Sequence, residues 1–280
     1  MNNKENKVWF ITGASAGFGK AFAEYAISQN YHVVVTARRL EKLKSIEEQS
    51  PEHVLALKMD VNDHAQIEEA IDKAMKRFGR IDVLINNAGY GIVGAIEETP
   101  DSELRAQMET NFFGAINVTK AILPHMREQE TGAIVNMSSM GGQMSFGGFG
   151  AYSASKFALE GASEALAQEL APFNIKVMIV EPGAFRTDFA GGALKHMPIL
   201  EAYKNITGDI RAFASGMDNT QEGDPAKAAI AIDKALRAEN TPLRLQLGED
   251  SIEAVKGHSE QLLKDLEAWK SLGLDTKIES

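Results

Sequence analysis

The sequence predicts an α/β fold with a mainly parallel, seven-stranded sheet flanked by helices on both faces. Three observations carry that prediction. Short apolar, β-branched runs alternate with helical patterns along the chain. The first run, Val8–Thr12, passes directly into a glycine-rich turn and then a helix. No linker, internal repeat or low-complexity tract divides the 280 residues, so one domain over 1–280 is the economical reading.

The glycine turn reads Gly13-Ala14-Ser15-Ala16-Gly17-Phe18-Gly19, and the following helix sets Phe22 and Tyr25 on one side. Glycines permit a tight turn and let backbone approach a pyrophosphate, and the helix N-terminus offers free N–H groups. Strand, glycine turn and helix together mark a doubly wound, Rossmann-like nucleotide site; an ordinary βα turn is the bland alternative. The second strand, 31–36, ends at Ala37-Arg38-Arg39. An acidic residue there would suit the ribose hydroxyls of NAD. An arginine suits a 2′-phosphate instead, which predicts NADP(H), with Arg38 ahead of Arg39. The third strand, 53–59, ends at Asp60-Val61, where Asp60 suits an adenine amino group or a plain turn. A helix over 65–78 and a strand over 81–85 lead to Asn86-Asn87-Ala88-Gly89. The alternation continues with helix 101–127, strand 133–137, helix 153–171 and strand 175–180. Asp224-Pro225 opens another helix as N-cap and first-turn proline. A strand over 243–247 and a helix over 251–270 complete the pattern.

At the start of the 153–171 helix, Tyr152 and Lys156 stand four residues apart, so a helix brings them to one face. An ammonium beside a phenol stabilises the phenolate and predicts a Tyr152 pKa below about 10. Such a phenol exchanges a proton with a carbonyl oxygen near neutral pH. Composition excludes other chemistry. There are no cysteines, and the six histidines show no ligand spacing, so no metal is expected. A net charge of −10 argues against nucleic acid and anionic membrane as partners. No apolar run is long enough to span a bilayer and the N-terminus has no secretory core, so a cytoplasmic location is expected.

The motifs resemble the short-chain dehydrogenase/reductase family. They are T-G-A-S-A-G-F-G over 12–19, N-N-A-G over 86–89, N-F-F-G from Asn111, N-M-S-S ending at Ser139, Y-S-A-S-K from Tyr152, and Pro182-Gly183. The resemblance covers about 5–250 and implies specific roles. Tyr152 is the proton donor or base, and Lys156 lowers its pKa and holds the nicotinamide ribose. Ser139 donates to the substrate oxygen, with Ser138 as the alternative serine. Asn111 positions a water behind Lys156. The implied cofactor contacts are Gly13, Ser15, Gly17, Phe18, Gly19, Arg38, Arg39, Asp60, Val61, Asn87, Ala88, Gly89, Tyr152, Lys156, Pro182, Gly183 and Thr187.

The loop over 184–223 is expected to form the substrate lid, carrying Phe185, Phe189, Leu194, Met197, Ile199 and Phe213 among others. An apolar lid suits a ketone or aldehyde with an apolar body, or the corresponding alcohol; packing of the lid on the body is the bland reading. The helical extension over 249–280 resembles bacterial relatives of the 17β-hydroxysteroid and retinol dehydrogenase branch, without implying those substrates. The resemblance also implies a homodimer or homotetramer. Two alternatives stand: a 3-oxoacyl thioester (acyl-carrier-protein) reductase, and a non-catalytic NADP(H)-sensing regulator.

Overall fold

A computed structural model describes residues 7–189, 191–218 and 220–278. The strands are β1 (Val8–Thr12), β2 (His32–Ala37), β3 (Val54–Lys58), β4 (Val83–Asn86), β5 (Gly91–Val93), β6 (Gly132–Met137), β7 (Ile175–Pro182), β8 (Leu194–His196) and β9 (Arg244–Leu247). The helices are α1 (Gly17–Ser28), α2 (Lys44–Glu47), α3 (His64–Phe78), α4 (Asp101–Met108), α5 (Ala115–Glu128), α6 (Gly150–Leu170), α7 (Lys204–Gly216), α8 (Pro225–Arg237) and α9 (Glu249–Leu274). Seven strands form one parallel sheet in the order β3-β2-β1-β4-β6-β7-β9. The order reverses between β1 and β4, so their carboxyl ends, Thr12 and Asn86, border the crevice where such sheets bind ligands.

All five residues of β1 are buried, because the strand is covered on both faces. Trp9 and Ile11 point to one core with Phe22 of α1 and Ile232 of α8. Val8 and Phe10 point to the other, with Ile67 and Ile71 of α3 and Val118 and Ile122 of α5. Local signals end the helices where the chain must turn. Asp63 caps α3 by accepting from Gln66 N at 3.1 Å, and Gly79 closes that helix at φ +74°. Asp224 caps α8 with Pro225 in its first turn, as expected.

Three features depart from the sequence pattern. β5 and β8 form a separate parallel pair, with Ile92 opposite Lys195. Strands of three residues are too short to show periodicity. The expected helix over 101–127 is interrupted by a π-helical segment, Glu109–Gly114, which carries Asn111. Helix α6 begins at Gly150, so Tyr152 sits in its first turn rather than just before it. Beyond His258, every described residue of α9 is exposed, including Leu262, Leu266 and Trp269. No described helix is long and apolar enough to cross a membrane.

Candidate active site

The glycine turn is built on contacts that tolerate no side chain. Gly13 and Gly17 adopt φ +66° and +53°. A Cβ on Gly13 would stand 2.8 Å from the Ala88 Cα, and one on Gly19 would stand 2.5 Å from the Gly13 carbonyl oxygen. Asn87 holds the turn from the β4 side, donating through Nδ2 to the carbonyls of Thr12 and Gly13 at 3.0 Å each. The Thr12 hydroxyl accepts from the N–H groups of Asn87 and Ala88, also at 3.0 Å. The two motifs thus lock each other at the sheet's switch point. Ser15 is half-buried in the turn. Helix α1 starts with no side-chain cap and no acidic residue in its first turn, which leaves its leading N–H groups and positive dipole end for an anion. These features fit a dinucleotide pyrophosphate. Phe18 turns toward the body, with its ring 5.5 Å from Phe22 and 5.1 Å from Phe185.

The residues expected at the adenosine end stand at the strand termini on the other side of β1. Arg38 and Arg39 are exposed just beyond β2. Burial raises the Tyr90 phenol; the charge of Lys195 lowers it, that of Glu103 raises it, and that of Arg38 lowers it least. One Asp60 carboxylate oxygen accepts from Asn62 N at 3.0 Å, closing a turn. Val61 is buried against Gly114, where a Cβ would stand 2.5 Å from Val61 Cγ2. Thr187, expected to hold the nicotinamide, packs 3.2 Å from the position of a Cβ on Gly17. The Pro182-Gly183 turn is backed by Asp250 of α9, which accepts from Ala184 N at 2.7 Å. Asp250 gave no signal in the sequence, since its partner is a backbone group 66 residues away.

Tyr152, Lys156, Ser139 and Asn111 converge at the carboxyl end of the sheet. Lys156 is buried, donates to the Met137 carbonyl at 2.7 Å, and has its Nζ 5.7 Å from the Tyr152 ring centroid. The expected depression of the Tyr152 pKa is not found. Burial pushes the phenol up to about 12, and a hydrogen bond with Ser139 opposes this. Burial also destabilises the ammonium, bringing Lys156 down to about 8, with the charge of Glu160 holding it up. Spacing of four residues gave proximity correctly but not desolvation, which acts on both groups. The Ser139 hydroxyl accepts from Gly141 N at 3.1 Å. Ser138 instead turns inward and donates to Glu160 Oε1 at 2.6 Å.

Asn111 uses its whole amide on protein partners. Its Oδ1 accepts from Tyr90 N at 3.1 Å, and its Nδ2 donates to the Tyr90 carbonyl at 2.9 Å and to Ser155 Oγ at 3.0 Å. Ser155 in turn donates to the Tyr152 carbonyl at 2.7 Å. Asn111 therefore ties the loop after Gly89 to the first turn of α6.

The loop over 184–223, expected to form the substrate lid, is pinned by an ion pair the sequence did not reveal. Arg211 of α7 meets Glu98 at 2.6 Å, with both side chains nearly or fully buried. Glu98 also accepts from the N–H groups of Ala95 and Leu200. Burial alone would raise Glu98, but these donors and Arg211 hold its carboxyl below the usual range. Several expected lining residues serve packing: Met197 is buried with Ile92 and Ala151, and Phe185 rests on Phe18. Phe189 crosses toward the centre, with its ring 5.6 Å from Tyr152. Ile199 and Phe213 remain exposed.

Comparison with known proteins agrees with this geometry. The short chain dehydrogenase family model matches residues 7–197. A 3-ketodihydrosphingosine reductase of Bacteroides thetaiotaomicron is 40% identical over 245 residues, 86% of this chain and 88% of the relative. A crystal structure of a short-chain dehydrogenase from Streptomyces avermitilis is 47% identical with a TM-score of 0.92, over 97% of this chain and 100% of that one. An alcohol dehydrogenase from Thermococcus sibiricus, complexed with 5-hydroxy-NADP, is 26% identical with a TM-score of 0.72, over 87% of this chain and 96% of that one. The chain belongs to the short-chain dehydrogenase family and is an oxidoreductase.

Proposed function

We propose that this oxidoreductase reduces a ketone or aldehyde with an apolar body, using NADPH in preference to NADH, with Tyr152 as proton donor. The observation that carries the reading is the convergence of Tyr152, Ser139 and Lys156: Ser139 hydrogen-bonds Tyr152, and the Lys156 Nζ stands 5.7 Å from the Tyr152 ring centroid. When bound, the nicotinamide supplies the hydride. Tyr152, kept protonated by burial, is in the form that gives a proton to the carbonyl oxygen. Ser139 donates a hydrogen bond to the same oxygen as negative charge grows on it. Lys156 and Asn111 hold the first turns of α6 and the ribose end of the site. Gly13, Ser15, Gly17, Phe18, Gly19, Asp60, Val61, Asn87, Ala88, Gly89, Pro182, Gly183 and Thr187 line the dinucleotide, some through backbone only. Arg38, with Arg39 beside it, faces the 2′-phosphate.

The Bacteroides relative is named a 3-ketodihydrosphingosine reductase, which, with the Phe189 ring 5.6 Å from Tyr152, supports a keto substrate with an apolar body. The presence of both Tyr152 and Lys156 disfavours a pure NADP(H) sensor. Exposed Phe113, Phe157 and Phe173 on and beside α5 and α6 support assembly as a homodimer or homotetramer through those helices. A cytoplasmic location remains part of this reading.

The test is NADPH consumption with aldehydes, ketones, long-chain 3-ketones and acyl thioesters, with NADH in parallel. The expected result is turnover of apolar ketones, with Arg38→Ala raising the KM for NADPH about tenfold and leaving NADH unchanged. Turnover of acyl thioesters alone would favour the thioester reductase. Equal rates with both cofactors would remove the role given to Arg38.

A further inference from the structure

One turn beyond Lys156 along α6 is a second group of buried charges that the reaction above does not use. Glu160 lies at that turn, with 3% of its surface exposed. Groups face it from each element packed around it. From the turn after β6, Ser138 donates to Oε1 at 2.6 Å. In the same turn Gly142 presses so closely that a Cβ would stand 2.1 Å from that oxygen. From β9, Arg244 Nε reaches Glu160 Oε2 at 3.2 Å. From β7 comes a like charge, Glu181, fully buried, whose Oε1 is 3.1 Å from the same Arg244 Nε. Gln143 and Gln246 donate to the two Glu181 oxygens at 2.8 and 2.7 Å. On α6 itself, Lys156 precedes it by four residues, and Glu164 holds the other end of Arg244 at 2.7 Å.

One guanidinium therefore serves three carboxylates, two of them buried. The nearest other cation along α6 is the Lys156 ammonium, four residues away on the same helical face. The Glu160 carboxyl also braces Ser138 and Gly142, the residues that flank Ser139, Met140 and Gly141. We infer that Glu160 is a positioning residue of this site: it buttresses the turn that presents Ser139 and, once ionised, stabilises the Lys156 ammonium one helical turn away. The inference rests on Lys156 and Ser139 belonging to the active site. Electrostatics agree with it. Burial, with the charge of Glu181, pushes Glu160 up to about 7, against the hydrogen bond from Ser138 and the charge of Arg244. Ionised Glu160 raises Lys156 against the lowering caused by burial. Removing that charge must lower the lysine further.

The test follows the Lys156 Cε resonance in protein labelled with ¹³C-lysine, titrated by NMR and assigned by its loss in Lys156→Met. In Glu160→Gln the midpoint is expected to move to lower pH by about one unit, the low end of what an adjacent opposite charge contributes. Glu160→Asp, which keeps the charge, restores most of it. The alkaline limb of the kcat/KM profile should move in the same direction as the midpoint. A folded Glu160→Gln protein with an unchanged midpoint would overturn the inference. If that variant does not fold, the wild-type curve decides: coupling requires a second inflection near neutral pH, and a single smooth step contradicts it. The titration needs no turnover. An inactive protein with a shifted midpoint would therefore refute the reductase reading and leave the coupling standing.

Discussion

Helices α6 and α9 break the usual inside–outside rule in opposite directions. Helix α6 buries Ser153, Ser155, Lys156, Glu160 and Ser163. Helix α9 exposes Leu262, Leu263, Leu266 and Trp269, the last at 69%. Most buried polar groups of α6 have partners on other elements. Lys156 holds Met137, Glu160 holds Ser138 and Arg244, and Ser163 accepts from Asn136 at 2.8 Å. The leucines of α9 have no such engagement with the body of the described chain. Buried polarity that is fully bonded is costly to disturb, because each lost partner strands the other. Exposed apolar residues cost the monomer little to change. Changes on the two helices should therefore differ in what they do to the reaction.

After the proton donor Tyr152 itself, the largest effect is expected at Lys156→Ala. Its kcat/KM with NADPH should fall about 10³-fold, within the range for loss of an acid–base or charge-stabilising group. A loss under tenfold would mean that burial of Lys156 is only structural. Next comes the lid. Glu98→Gln leaves the buried Arg211 guanidinium uncompensated, and urea unfolding should show about 3 kcal/mol of destabilisation. The same variant should raise KM for the carbonyl substrate. Destabilisation near zero would show that the lid is held by its apolar contacts alone. The smallest effect is expected on α9. Serine at Leu262, Leu266 and Trp269 together should leave kcat/KM within about twofold and Tm within about 2 °C in the monomeric state. A large loss of either would mean that α9 packs on the body or on a second copy at the site.

Much of this molecule was legible because its chemistry is local in sequence. Strand, glycine turn and helix follow one another from Val8 to Ser28, and Tyr152 and Lys156 share one helical face. The two cores follow from alternation within fully buried strands such as β1. What was missed depends on long-range contact. Glu98 and Arg211 are 113 residues apart, and nothing near either predicts the pair. β5 and β8 are three residues each and meet only because the lid folds back. The rise in the Tyr152 pKa came from desolvation, which a spacing argument does not contain. The lid shows the same limit, since Phe185 and Met197 turned out to pack while Phe189 reaches Tyr152.

The most direct measurement compares wild type with Tyr152→Phe for both NADPH binding and NADPH oxidation with a long-chain ketone. Binding, followed by quenching of protein fluorescence, should be unchanged within about twofold, because the phenol oxygen alone is removed. Oxidation should fall about 10³-fold or more, the loss expected for a proton donor at the reacting oxygen. A Tyr152→Phe protein that still turns over at a comparable rate would contradict the account, since the proton would then come from elsewhere.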